Sequence, residues 1–136
     1  MNRVLVDTGP LVAIFSRNDQ SHEACVQALK DIAPPMFTCW PVLTEAAWLL
    51  RFEPSAVDRL LQSADAGLYR ILPLDERDAV AISAILKKYH RLKPQLADAA
   101  LVHLAVREKI EVMFTVDRRD FRVYRHGPNR AFRIIP

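Results

Sequence analysis

The chain has 136 residues, 51% hydrophobic and 26% charged, the balance of an ordinary folded domain and not of a disordered, collagen-like or low-complexity chain. No apolar run approaches the roughly 18 residues that cross a bilayer, only Val4-Leu5-Val6 separate Arg3 from Asp7, too few for a secretory leader, and two lone cysteines, Cys25 and Cys39, make neither a disulfide framework nor a cysteine zinc site. The net charge is +3, but residues 118–136 carry +5 from six arginines against Asp120, which leaves −2 on the rest; a cationic end on a mildly acidic body suggests an anionic partner, nucleic acid first.

In chain order, Arg3 to Val6 reads as a buried strand, and Pro10 as the first residue of a helix over Leu11 to Phe15. Asp19-Gln20-Ser21 offers caps for a helix from His22 to Ile32, which Pro34-Pro35 stops. Met36 to Cys39 is a second strand, and Pro41 starts a helix reaching about Phe52. A further helix runs from Pro54-Ser55 to about Ala66, closed by Gly67, before a third strand over Tyr69 to Leu72. Asp75 caps an amphipathic helix to about Tyr89, with Ala79, Ile82, Ser83, Leu86 and Tyr89 on its inner face. His90 to Lys93 reads as a loop, Pro94 opens a helix to about Lys109, Val112 to Thr115 is a fourth strand, and Ala131 to Ile135 a possible fifth. Strands alternating with helices predict a single α/β domain over residues 1–136, with a central, mostly parallel sheet of four to five strands and helices on both faces. Such sheets bind ligands at the carboxyl ends of their strands.

Four carboxylates stand alone in apolar windows. Asp7 is the one charged residue between Val4 and Ser16, Glu45 between Trp40 and Leu50, Asp98 between Gln95 and Val106, and Asp117 follows the strand Val112 to Thr115. A buried carboxylate costs several kcal/mol unless it is hydrogen-bonded, neutralised or bound to a cation. One such residue is explained by a helix cap or a distant arginine, and Asp7 is placed to cap the helix that follows it. Four in one small domain, two of them directly after strands, point to a shared site. Convergent acids repel, so they need cations between them, and oxygen-only ligands select hard ions such as Mg²⁺ or Mn²⁺. Two such ions about 4 Å apart activate water and stabilise the leaving oxygen of a phosphodiester.

The surrounding motifs resemble those of the PIN-domain ribonucleases, especially the VapC-type toxins of bacterial toxin–antitoxin pairs. Val4-Leu5-Val6-Asp7-Thr8-Gly9-Pro10-Leu11 resembles the opening strand and first acid of that family. Pro41-Val42-Leu43-Thr44-Glu45-Ala46 resembles its second motif, Leu96-Ala97-Asp98-Ala99-Ala100-Leu101 its third, and Thr115-Val116-Asp117-Arg118-Arg119-Asp120-Phe121 its last. The four lie in the family's order across nearly the whole chain. The resemblance implies a Mg²⁺- or Mn²⁺-dependent endoribonuclease leaving 5′-phosphate and 3′-hydroxyl ends. Asp7, Glu45, Asp98 and Asp117 would be metal-holding catalytic residues and Thr115 a supporting hydroxyl. It also implies a small antitoxin protein as partner and a homodimer; the unpaired cysteines and the short apolar start predict a reduced, cytoplasmic protein. Asp120 departs from the motif, which often carries His there, and is expected beside the site or on the surface. Arg118, Arg119, Arg122 and Arg125 are expected to hold flanking RNA phosphates, unless Arg118 and Arg119 pair with Asp120 or Glu111.

Other readings fare worse. Asp7-Thr8-Gly9 matches the aspartic-protease signature, but those folds are mostly β and this chain is largely helical in periodicity. No GxGxxG, P-loop or GxSxG motif is present, and haloacid-dehalogenase-type phosphatases need Asp-x-Asp where this chain has Asp7-Thr8-Gly9. Phosphoacceptor domains need a nucleophilic Asp after a central strand, whereas Asp75 is explained as a cap. His103 falls off the face of Asp98 and reads as a hydrogen-bonded helix residue. Trp40, Trp48 and Phe52, near Glu45, read as core or subunit interface in preference to a base-stacking platform. The rival from another class is a catalytically silent PIN-like module that binds RNA or antitoxin.

Overall fold

The computed structural model describes residues 2–136. Five three-residue strands, β1 (Val4–Val6), β2 (Met36–Thr38), β3 (Tyr69–Ile71), β4 (Val112–Phe114) and β5 (Arg133–Ile135), form one sheet in the order β3-β2-β1-β4-β5. All four pairings are parallel, with Leu5 beside both Phe37 and Met113. The central strands β1 and β4 are buried along their whole length, as unbroken apolar runs in a sheet covered on both faces should be. The edge strands each spare one position for an exposed arginine, Arg70 and Arg133.

The helices are α1 (Thr8–Phe15), α2 (His22–Lys30), α3 (Trp40–Leu49), α4 (Ala56–Asp65), α5 (Glu76–Lys88), α6 (Leu96–Glu108) and the short α7 (Arg118–Phe121). Helical crossovers carry the chain outward from β1 to β2 and β3, then back past β1 to β4 and β5. The direction of winding therefore reverses between β1 and β4, and a crevice opens at their carboxyl ends. Within the layers α1 packs on α2, α3 and α4, α5 packs on α6, and α3 also touches α6. Helix α6 is buried nearly all round through Ala97, Ala99, Ala100, Leu101, Val102, Leu104 and Ala105, which makes the single acid in its first turn conspicuous.

Several element ends differ from the sequence expectation, each for a local reason. Helix α1 begins at Thr8 because Asp7 caps it, which leaves Pro10 inside the first turn, where its missing N–H is not needed. Helix α6 begins at Leu96, two residues after Pro94, because Gln95 and Asp98 close a capping box around its first turn. Trp40 precedes Pro41 in α3, which ends at Leu49, short of Phe52. The His90 to Lys93 stretch contains a single 3₁₀ turn. Gly67, at φ +91°, closes α4 as expected. On α5, Ala79 and Ser83 of the expected inner face are exposed and only Ile82 is buried. Polar bonds also join α5 to α6: Asp78 Oδ1 accepts from His103 at 2.7 Å and from Arg107 at 3.1 Å, while Asp78 Oδ2 accepts the amide of its own helix cap, Asp75, at 2.8 Å. His103 is thus a hydrogen-bonded helix residue, and both cysteines are buried, with burial pushing their thiols up to about 11.

Candidate active site

The sheet ladder runs one residue beyond β1. The Asp7 amide donates to the Phe114 carbonyl at 2.9 Å, so the first residue after β1 lies beside the end of β4 and faces Thr115. Both carboxylate oxygens of Asp7 accept hydrogen bonds there, Oδ1 from the Thr8 amide and Oδ2 from the Thr115 hydroxyl, each at 2.8 Å. The same hydroxyl accepts the Asp117 amide at 2.9 Å. An oxygen that receives an N–H must send its own proton elsewhere, and here it goes to Asp7. One buried hydroxyl therefore ties the acid after β1 to the loop carrying the acid after β4.

The other two acids arrive from helices. Asp98 sits in the first turn of α6, where Oδ2 accepts the Gln95 amide at 3.0 Å. Glu45 sits one turn into α3, with no hydrogen bond to its carboxylate among the described residues. Asp117 caps α7 by accepting the Asp120 amide at 3.2 Å. Asp7, Glu45, Asp98 and Asp117 line one cleft of about 550 Å³, with Thr8, Gly9, Trp48, Leu49, Lys93, Gln95, Val116 and Asp120 completing its walls. Thr115 lies beneath it, fully buried. Gly9 is required here for space, because a Cβ on it would fall 2.4 Å from Val116 Cγ2.

Asp120 is therefore a wall residue and not merely a surface one. Its place three residues after Asp117, at cap spacing, is the signal for this in the sequence. The arginines divide. Arg118 donates to the Pro136 carbonyl, and Arg125 donates to the carbonyls of Arg122, Val123 and Tyr124. Arg119 and Arg122 are exposed with no hydrogen bond to their guanidinium groups among the described residues, and none of the described ion pairs joins Arg118 or Arg119 to Asp120 or Glu111. Trp40, Trp48 and Phe52 are 58%, 63% and 83% exposed, which removes the core reading for all three; α3 turns that side outward while Val42, Leu43 and Ala46 take the inside.

The electrostatics are those of crowded like charges. Burial pushes the Asp7 carboxyl up to about 7, with the charges of Asp98 and Glu45 adding to burial and the bonds from Thr115 and Thr8 opposing it. Asp98 is raised by burial and then by Asp117, Glu45 and Asp120. Asp120 is raised by burial and by Asp117. Beneath them Tyr124 is fully buried, edge-on to Tyr89 and Phe121, and its phenol is raised by burial and by the charges of Asp98, Asp120, Asp117 and Asp7.

An all-carboxylate cleft of this kind fits a hard divalent cation: the donors are oxygens, they repel one another without one, and Lys93 is the one cationic side chain in the lining. Each of Asp98 and Asp117 spends one oxygen on a backbone amide and keeps the other. Among the described residues no three acids close around a common point.

Against known families, the PIN domain profile matches residues 4–126. The chain belongs to the PIN domain family. A curated relative of this PIN domain, Ribonuclease VapC26 from Mycobacterium tuberculosis, is 26% identical over 135 residues, spanning 98% of this chain and all of that protein. The crystal structure of Mycobacterium tuberculosis VapC20, described as a sarcin-ricin loop cleaving toxin, superposes with a TM-score of 0.78 over 85% of this chain and 91% of that one. At 18% identity that likeness speaks for the fold.

Two stability effects follow. The raised Asp7 carboxyl binds its proton more tightly in the native state than in the unfolded one, so the metal-free protein loses stability as pH rises from about 4 to about 7. In EDTA, Asp7→Asn is expected to melt about 5 °C above the parent at pH 8, a gap that closes toward pH 4. Thr8 Oγ1 is buried without a partner among the described residues, so Thr8→Val should stabilise the metal-free protein by about 1 kcal/mol in thermal or urea melting; a loss of stability would mean that the hydroxyl is satisfied.

Proposed function

We propose that the protein is a divalent-metal-dependent endoribonuclease and the toxin of a toxin–antitoxin pair. The observation that carries this reading is the gathering of Asp7, Glu45, Asp98 and Asp117 in one cleft at the β1/β4 reversal of a PIN domain, with Thr115 bonded to the first of them and to the amide of the last. The nuclease and toxin parts are supported by the names of the relatives, a ribonuclease across the full length of this chain and a toxin that shares the fold.

In this reading Asp7, Glu45, Asp98 and Asp117 hold Mg²⁺ or Mn²⁺. When bound, the metal supplies Lewis-acid stabilisation of the charge that develops on the phosphate and lowers the pKa of water. The chain's own groups set the stage. The Thr115 hydroxyl directs its proton to Asp7 and favours the ionised carboxylate, and the amides of Gln95 and Asp120 fix one oxygen each on Asp98 and Asp117, so that the remaining oxygen is presented to the cleft. Asp120 adds negative charge at the rim.

An acidic cleft repels a polyanion, and the arginine-rich end offsets this. Arg119 and Arg122 are the members of the set best placed to meet flanking phosphates, because Arg118 and Arg125 are already engaged with backbone carbonyls. A small antitoxin, a second copy of the chain and action on cytoplasmic RNA complete the proposal. No helix among the described residues is long and apolar enough to cross a membrane. A silent binding module would have no use for four mutually repelling acids in one cleft, and none of the four is missing.

The test is incubation with structured RNA and with DNA of the same sequence, each with Mg²⁺, Mn²⁺ or EDTA. Cleavage of RNA is expected only with metal, leaving 5′-phosphate ends, and Asp98→Asn or Glu45→Gln should lower the rate by at least about a hundredfold with the fold intact by circular dichroism. Metal-independent cleavage, or full activity in both amide variants, would contradict the assignment.

A further inference from the structure

Trp48 follows Glu45 by three residues on α3, so the two side chains lie one turn apart on the same helical face, and both line the acid cleft. The indole is 63% exposed. It is also braced: the Arg51 guanidinium lies 3.7 Å from the Trp48 ring centroid and 4.4 Å from that of Phe52, and Arg51 donates to the Trp48 carbonyl at 2.7 Å. Phe52, on the far side of this stack, is 83% exposed. A flat ring covered by a cation on one side, open to solvent elsewhere and fixed at the rim of a catalytic cleft presents what an unstacked nucleobase needs.

We propose that Trp48, braced by Arg51 and Phe52, is the stacking platform for one unpaired base of the RNA beside the phosphate that is cleaved. The proposal rests on the endoribonuclease reading above. The choice of a nucleic acid over a protein as occupant follows from position and charge. A molecule covering Trp48 also reaches the cleft, and the exposed Arg51 guanidinium beside the ring offers it a positive charge. Single-stranded RNA brings both a π face for the indole and phosphates for the guanidinium. Because every base has such a face, Trp48 would select for an unpaired nucleotide at this point more than for a particular base.

The test uses the full chain carrying Asp98→Asn, so that RNA is bound and not consumed, titrated in Mg²⁺ with a labelled single-stranded RNA oligonucleotide and with the same sequence in a duplex. Trp48→Ala should weaken single-stranded binding by about 5- to 150-fold and duplex binding much less, with Trp48→Phe restoring most of the loss. With Trp40→Phe in place Trp48 is the sole indole, and its fluorescence should be quenched by the single strand. Equal affinity with Trp48 and with Ala at this position, or no quenching on saturation, would overturn the proposal. So would a change in sedimentation mass of the RNA-free protein with Trp48→Ala, which would make this face a contact between copies of the chain. Failure of the protein with both Asp98 and Trp48 intact to bind or cleave any RNA in Mg²⁺ would instead overturn the endoribonuclease reading, and the platform with it.

Discussion

The cleft depends on a single buried hydroxyl. Thr115 lies at the end of the fully buried β4, and the Asp117 amide donates to its oxygen, which leaves its proton for Asp7. This joins the loops that follow the two central strands and favours the ionised form of Asp7, whose oxygen accepts the bond. The bond opposes the burial and the neighbouring charges that raise Asp7. Without it, the first acid would hold its proton more firmly and the Asp117 loop would lose its anchor.

The same economy appears at the helix ends. Asp7 caps α1, Asp117 caps α7, and Asp98 closes the first turn of α6. Capping and metal binding are often weighed as alternatives for such acids. Here the cap uses one oxygen of Asp98 and of Asp117 and leaves the other without a backbone partner among the described residues, while the positive ends of the helix dipoles offset part of the repulsion between the carboxylates. The Thr8 hydroxyl, without a partner among the described residues, and the raised carboxyls of Asp7 and Asp98 mark an arrangement held at some cost to the fold.

What is legible in the sequence is the pattern set by burial. The apolar runs of β1 and β4 mark the central strands, and an acid alone in such a run stands out at Asp7, Glu45, Asp98 and Asp117. The order of the four motifs along the chain points to the PIN family, and the matching profile bears it out. What escapes is set by geometry at single residues. Pro10 and Pro94 look like helix starts, yet the caps at Asp7 and Gln95 decide where α1 and α6 begin. Helix α7 has four residues, three of them charged, too few for a periodicity to show. Asp120 looks peripheral in the sequence because its approach to the cleft depends on that short turn. Trp40, Trp48 and Phe52 are large and apolar, and nothing in their spacing reveals that α3 turns the two indoles outward or that Phe52, beyond its end, is exposed.

Together these features describe a cleft of gathered carboxylates close in sequence to an arginine-rich end. The central claim, that the four acids are a cation site held in register by Thr115, is tested most directly by calorimetric titration of the RNA-free protein with Mn²⁺. The account predicts binding to the parent, loss of binding in Asp98→Asn, and clear weakening in Thr115→Val despite that residue's burial beneath the cleft. The same affinity in all three proteins would contradict it.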